Sequence, residues 1–130
     1  MRINVINVFV DDQDKALQFY TDVLGFQKKR DMPVGDGEFK WLTVISPEDP
    51  GGVELLLEPN DNEAAKTYQQ AIYEQGIPAI SFVVDDIWAE YERMKNRNVN
   101  FIVEPTDSGP VTFAIFDDTC GNLIQLSQAK

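Results

Sequence analysis

The feature that most constrains the fold of this chain is a pattern that occurs twice. Phe9-Val10-Asp11-Asp12 returns 74 residues later as Val83-Val84-Asp85-Asp86. A second pair, Val53-Glu54-Leu55 and Ile124-Gln125-Leu126, repeats at an offset of 71 residues. Self-similarity at such a period indicates one supersecondary unit that is built twice.

Hydrophobic periodicity describes the first copy as a βαβββ module. Alternating, β-branched segments predict strands, and apolar residues at helical spacing from Ala16 to Leu24 predict a helix that Gly25 ends. Pro33 to Gly37 and Ser46 to Gly52 have turn and loop composition. The predicted strands are Ile3–Val10, Phe26–Asp31, Phe39–Ile45 and Val53–Glu58.

The second copy follows the same order after a polar helix from Asn62 to Glu74. The predicted elements are a strand Ala79–Val84, a helix Ile87–Asn96 and strands Phe101–Glu104, Val111–Phe116 and Asn122–Ser127. We therefore predict an α+β protein with one domain over residues 1–130, made of module 1 (1–60), a connecting helix (61–76) and module 2 (77–130). Neither module is long enough to close a barrel alone, so the halves are expected to pair, within one chain or between chains.

Composition excludes several kinds of chemistry. The chain has no histidine and one cysteine, Cys120, so it can form neither a His-dependent catalytic triad, nor a His-ligated metal site, nor an internal disulfide. The composition, 43% hydrophobic and 25% charged, is that of a globular protein. No apolar run approaches the roughly 20 residues that span a bilayer, and the first residues do not resemble a signal peptide. A cytoplasmic location and no membrane partner are expected.

The net charge of −11 is spread evenly, with 11 acidic residues in 1–59 and 11 in 60–130. A field of this sign repels nucleic acid and anionic lipid, and it would attract a cationic ligand. Solubility alone is the alternative explanation and the one we favour.

Two motifs resemble those of a known family. Phe19-Tyr20-Thr21-Asp22-Val23-Leu24-Gly25-Phe26 resembles the FYxxxLGF signature of the vicinal oxygen chelate superfamily. Phe116 to Leu126 resembles its closing FxDPDGNxxEL motif, with Thr119-Cys120 in place of Pro-Asp and Gln125 in place of Glu. The superfamily includes glyoxalase I, extradiol dioxygenases and the bleomycin resistance proteins. The resemblance implies two βαβββ modules whose curved mixed sheets form a cleft, and a homodimer.

The resemblance also implies where a metal would be bound. In metal-dependent members, four ligands come from the first and last strands of the two modules. The corresponding residues here are Val5, Glu54, Ala79 and Gln125. Since Val5 and Ala79 have no side-chain donor, and an amide with one carboxylate is too few ligands for a transition ion, we expect neither metal nor cofactor.

Six residues are candidates for a ligand-binding cleft. Glu54 could bind a cationic group or act as a base, or it could face water or pair with a nearby basic residue. Gln125, Asn7 and Ser81 are candidate polar contacts, and Gln125 is more simply explained as a solvated side chain. Trp41 and Phe113, with Phe39, could form apolar walls, although aromatic residues on strands are more often core.

Other conspicuous residues are better explained by structure. Asp11-Asp12 and Asp85-Asp86 precede helices and are expected to cap them. Lys28-Lys29-Arg30 is expected to be a solvated edge of a sheet. Cys120 has acidic neighbours that oppose thiolate formation, which favours a structural thiol.

The sequence thus predicts a metal-independent protein that resembles the bleomycin-resistance branch. Its expected partners are a small molecule, cationic and partly aromatic, and a second copy of the chain, with no nucleic acid. Two alternatives remain: a lyase or dioxygenase-type enzyme with an atypical metal site, and a non-catalytic structural or regulatory module.

Overall fold

A computed structural model describes residues 1–130 as eight strands and three α-helices. The chain divides into two compact units, Met1–Thr67 and Tyr68–Lys130. Each unit contains one mixed four-stranded sheet, so the predicted α+β fold with two βαβββ modules is confirmed. None of the helices combines the length and the apolar character that crossing a membrane requires.

The first unit is built on a sheet with strand order β1-β4-β3-β2. β1 runs parallel to β4, and the other two pairs are antiparallel. Its elements are β1 (Val5–Val10), α1 (Gln13–Gln18) with a π-helical turn (Phe19–Val23), β2 (Gln27–Val34), β3 (Phe39–Ile45) and β4 (Glu54–Pro59).

Helix α1 packs on one face of this sheet. The side chain of Gln13 donates to the carbonyl oxygens of Lys40 (2.9 Å) and Leu57 (2.8 Å) and accepts from the Lys40 N–H. Lys40 also forms an ion pair with Asp14 at 3.2 Å. Since side chains alternate along a strand, Trp41 and Thr43 must lie on the opposite face. We call this second surface the open face of the first sheet.

The second unit repeats the arrangement with strand order β5-β8-β7-β6. β5 and β8 are parallel, and the other pairs are antiparallel. The remaining elements of the chain are α2 (Glu63–Glu74), β5 (Ile80–Val83), α3 (Ile87–Lys95), β6 (Phe101–Asp107), β7 (Val111–Asp117) and β8 (Leu123–Ala129).

A cluster of three aromatic rings joins α3 to one face of the second sheet. The ring of Tyr91 lies 4.7 Å from that of Phe101, which in turn lies 5.7 Å from Phe116. Gln128 accepts a hydrogen bond from the N–H of Ile87 at 2.7 Å, which ties β8 to the start of α3. Ser81, Phe113 and Gln125 are therefore on the other side, which we call the open face of the second sheet.

The two acidic pairs cap helices, as predicted, through their second members. Asp12 accepts from the N–H of Lys15 at 3.1 Å and begins α1. Asp86 accepts from the N–H of Ala89 at 3.1 Å and begins α3. Asp11 instead forms an exposed ion pair with Lys15.

Several element boundaries differ from the prediction for identifiable reasons. β1 and β5 begin later than predicted, at Val5 and Ile80. β2 continues through Pro33, which is possible because β2 is an edge strand and one side of it has no hydrogen-bonding neighbour. β6 extends to Asp107, past the predicted end at Glu104.

The predicted helix over Ala16–Leu24 begins earlier and ends differently. It starts at Gln13, and its last turn is π-helical, with the N–H of Leu24 donating to the Phe19 carbonyl oxygen at 3.1 Å. Gly25 follows with φ of +91°, a conformation that glycine adopts without strain.

Candidate functional site

Glu54 is the centre of a polar cluster on the open face of the first sheet. Its residue surface is only 4% exposed. One oxygen, Oε1, accepts hydrogen bonds from Arg30 Nε at 3.0 Å and from Thr43 Oγ1 at 2.8 Å. The other, Oε2, lies 3.7 Å from Lys29 Nζ. The carboxylate is thus held from three directions.

Strand register explains how these side chains meet. Arg30 is opposite Thr43 across β2 and β3, and Thr43 is opposite Leu56, two residues beyond Glu54 on β4. The register shifts between Lys28 and Arg30, which makes Lys29 an extra residue in the ladder. Such a β-bulge breaks the alternation of side chains. Lys29 and Arg30 can therefore both reach the same carboxylate.

The surroundings of Glu54 keep it ionised. Burial alone would raise the pKa of Glu54. Hydrogen bonds from Thr43 and Arg30, together with the charges of Arg30 and Lys29, outweigh burial and hold the pKa below its ordinary value. The cluster contains two positive groups and one negative group.

This geometry matches one of the alternatives left open for Glu54. Its carboxylate is paired with basic side chains of its own unit, Lys29 and Arg30. Lys28-Lys29-Arg30 does lie on an edge strand, but Lys29 and Arg30 are ligands of Glu54 and not merely a solvated edge. Sequence reasoning missed both residues because the bulge that redirects them has no signature in the sequence. Thr43 could have been found from its alternation with Trp41.

Apolar side chains continue the open face beside this cluster. Trp41 is 38% exposed and lies opposite Met32, which is 49% exposed. Phe39, half-buried, lies opposite Val34, which is 51% exposed. Trp41 and Phe39 alternate with Lys40, which contacts α1, so these two of the three predicted wall residues are on the same face as Glu54.

The residues at the superfamily's metal positions do not fit a metal ion in this unit. Val5 is the strand partner of Glu54 and has no donor atom in its side chain. Both oxygens of Glu54 already face basic groups of the protein. The structure brings together no group of three or more His, Cys, Asp or Glu side chains that could hold a metal. The donor set of the first unit therefore does not support metal-based chemistry.

The second unit has a weaker polar pair at the equivalent place. Gln125 is opposite Ser81, and its Nε2 donates to Ser81 Oγ at 3.4 Å. Ala79 precedes β5, and its N–H donates to the carbonyl oxygen of Leu123 at 2.8 Å. Ala79 is therefore not opposite Gln125, in contrast to Val5 and Glu54 in the first unit. The half-buried Phe113 shares the open face with this pair.

Asn7, a predicted polar contact of the ligand cleft, pairs with Glu58. It lies on the same strand face as Val5, but its Nδ2 donates to Glu58 Oε1 at 3.2 Å. The contact is exposed. Asn7 therefore borders the Glu54 cluster without joining it.

The closing motif, Phe116 to Leu126, contains a buried hydrogen-bond network in the second unit. The fully buried Asp118 accepts hydrogen bonds from the N–H groups of Cys120 (2.8 Å) and Asn122 (3.0 Å) and from Asn122 Nδ2 (2.8 Å). Gln69 on α2 donates to the Cys120 carbonyl oxygen and to Asn122 Oδ1. The buried Cys120 thus contributes its backbone N–H and carbonyl oxygen to this network.

Comparisons with known proteins agree with this fold. The profile of the Glyoxalase/Bleomycin resistance protein/Dioxygenase superfamily matches residues 2–126. YurT of Bacillus subtilis (strain 168) is 56% identical over 128 residues, which are 98% of this chain and 99% of YurT. The crystal structure of UcmS2 has a TM-score of 0.83 and 33% identity, with 98% of this chain and 97% of UcmS2 covered.

A third similar protein has a stated ligand class. TnmS3 of Streptomyces sp. CB03234, described as an antibiotic binding protein, has a TM-score of 0.76 and 25% identity. The match covers 100% of this chain and 97% of TnmS3. The fold, the profile match and these relatives lead to one assignment. The chain belongs to the Glyoxalase/Bleomycin resistance protein/Dioxygenase superfamily.

Proposed function

We propose that this protein binds a small, partly aromatic molecule without a metal ion, on the open face of the first sheet. The observation that carries the proposal is the partly exposed Trp41, two residues from Thr43 of the Glu54 cluster on the same face of β3. An apolar surface with a few fixed polar groups at its border is the usual composition of a small-molecule site.

The energetics of the face support binding of a flat ligand. Trp41, Met32 and Val34 all retain more than a third of their surface in water. Removing this apolar surface from water contributes roughly 25 cal/mol per Å² to the free energy of binding. Aromatic contact adds about 0.5–1.5 kcal/mol beyond the buried area. A planar ligand over Trp41 would gain both contributions.

The similarity to TnmS3 supports a binding role, because that protein is described as binding an antibiotic. The lyase and dioxygenase alternatives of the superfamily would need a metal site that Val5 and Glu54 do not provide. For the ligand of this chain we therefore propose sequestration by non-covalent contacts. The Gln125–Ser81 pair and Phe113, on the open face of the second sheet, are proposed as a separate and weaker binding surface.

Tryptophan fluorescence tests the proposal directly. Trp88→Phe leaves Trp41 as the only tryptophan, so quenching by a panel of planar aromatic compounds reports on the open face. We expect a compound that quenches Trp41 and whose affinity falls about tenfold in Trp41→Ala, measured by calorimetry. Trp88→Phe alone should leave that affinity unchanged, because Trp88 packs on Tyr91 in the other unit.

An affinity unaffected by Trp41→Ala would show that the ligand binds elsewhere. Metal analysis separates this proposal from the enzymatic alternatives. After purification without chelator and dialysis, we expect far less than one equivalent of zinc, nickel, iron or manganese. Retention of about one equivalent would contradict the donor-set argument.

A further inference from the structure

We propose that the ligand of this face carries an anionic oxygen, a carboxylate or phenolate, which is bound by Arg30 and Lys29. The inference rests on the proposed function and names the class of molecule that the site selects. It reverses the sequence-based expectation of a cationic ligand.

The donors of Arg30 are only partly used. A guanidinium has five N–H donors in a rigid fork, and Glu54 takes only the Nε–H. The structure shows no hydrogen-bond partner for the two terminal amino groups. The side chain of Arg30 is 47% exposed and that of Lys29 is 31% exposed. Two cationic donors therefore border the open face with bonding capacity to spare.

The charges of the cluster favour an anion. One buried carboxylate is matched by two basic groups, so the cluster has one positive charge in excess. Asp31, the acidic residue of β2, is engaged elsewhere, 3.6 Å from Lys28 Nζ and 4.0 Å from Lys40 Nζ. Glu58, which shares the face of Glu54, accepts a hydrogen bond from Asn7. A cationic ligand would have to compete with Arg30 and Lys29 for Glu54, whereas an anionic oxygen would complete the network.

The distance between Arg30 and Trp41 on the open face fits an aromatic acid as the ligand. Arg30 is opposite Thr43, and Trp41 is the next residue of β3 on the same face. Diagonal neighbours of this kind are about 7–8 Å apart at the backbone. That span suits a molecule whose ring covers Trp41 while an attached oxyanion meets the fork of Arg30. Bidentate contact between guanidinium and carboxylate gives such a site its geometric selectivity.

Three probes with one ring system test the inference: 2-naphthoate, 2-naphthamide and 2-naphthylmethylammonium. We expect the naphthoate to bind about tenfold more tightly than the amide, and the ammonium to bind most weakly. Arg30→Gln should abolish the preference for naphthoate. Lys28→Gln is the matched control, since this substitution removes the same charge from the same strand. The Lys28 side chain pairs with Asp31 and not with Glu54.

Two further variants keep the test valid if Arg30→Gln folds poorly. Arg30→Lys keeps the charge but loses the fork, so naphthoate affinity should fall about threefold or more with little change for the amide. Glu54→Gln removes the competing carboxylate, so naphthoate affinity should rise about threefold or more. A fall in naphthoate affinity in Glu54→Gln, or tightest binding of the ammonium, would overturn the inference.

The outcomes also separate this inference from the proposed function. If all three probes bind equally and all lose affinity in Trp41→Ala, the anion preference is wrong and the aromatic site stands. If no probe's binding depends on Trp41, both proposals fail.

Discussion

At the scale of single residues, the decisive finding is how Glu54 is held. A carboxylate that is 4% exposed must be compensated, because an unpaired buried charge costs several kcal/mol. Arg30, Thr43 and Lys29 provide that compensation. The positive charge next to Glu54 is thus supplied by basic side chains of the protein itself.

Glu54→Gln is expected to destabilise the protein at pH 7 by about 1–2 kcal/mol, because the charge-assisted bonds to Arg30 and Lys29 are lost. The folded pKa of Glu54 lies below its ordinary value of 4.5, so this contribution is complete above pH 4.5 and is lost as pH falls through the folded value. Urea unfolding of both proteins between pH 7 and pH 3 measures the difference.

Glu58→Gln is the control for that experiment. Glu58 is on the same strand face and accepts a single exposed hydrogen bond from Asn7. Its replacement should change the unfolding free energy by less than about 0.5 kcal/mol. A difference between wild type and Glu54→Gln that stays constant down to pH 3 would contradict the ionised, paired state of Glu54.

At the scale of elements, periodicity predicted the eight strands because alternation is a local property of the chain. The β-bulge at Lys29 was not predictable, since it depends on pairing with β3 and not on the residues of β2. The π-helical turn at Phe19–Val23 was missed for a related reason: apolar spacing does not distinguish it from an α-helical turn. Glu54 was therefore found from its motif, while its partners were not.

The caps give a prediction that distinguishes adjacent carboxylates. Asp12→Ala should cost about 1 kcal/mol of stability because the N–H of Lys15 loses its acceptor. Asp86→Ala should cost a similar amount in the second unit. Asp11→Ala should cost at most about 0.5 kcal/mol, since its ion pair with Lys15 is exposed. Chemical denaturation measures all three, and equal losses for Asp11→Ala and Asp12→Ala would refute the assignment.

At the scale of the whole molecule, the chain consists of two units that each complete their own sheet. The two units were visible in the sequence as a repeated pattern. The pairing of their parallel strands was not visible. The repeat makes Ala79 the counterpart of Val5, yet Gln125 pairs with Ser81 whereas Glu54 pairs with Val5.

We predict that the protein is a homodimer. Each four-stranded sheet has two edge strands, and both units expose large apolar side chains, among them Met32 in the first and Val83 and Trp88 in the second. Surfaces of this kind are commonly buried by association. Light scattering coupled to gel filtration at tens of micromolar should give twice the mass of the chain. A monomeric mass at that concentration would contradict the prediction.

The bulge at Lys29 makes the site sensitive to the length of the chain as well as to its residues. Removal of the extra residue would leave the pairs Lys28–Val44 and Arg30–Thr43 as neighbours in a regular ladder, in which side chains alternate. Only one of two adjacent cations could then face Glu54. In an evolving lineage, loss of a single codon here would rebalance the charges around Glu54 without any amino-acid replacement. The length of β2 is therefore as much a determinant of the charge at this face as the identity of its residues.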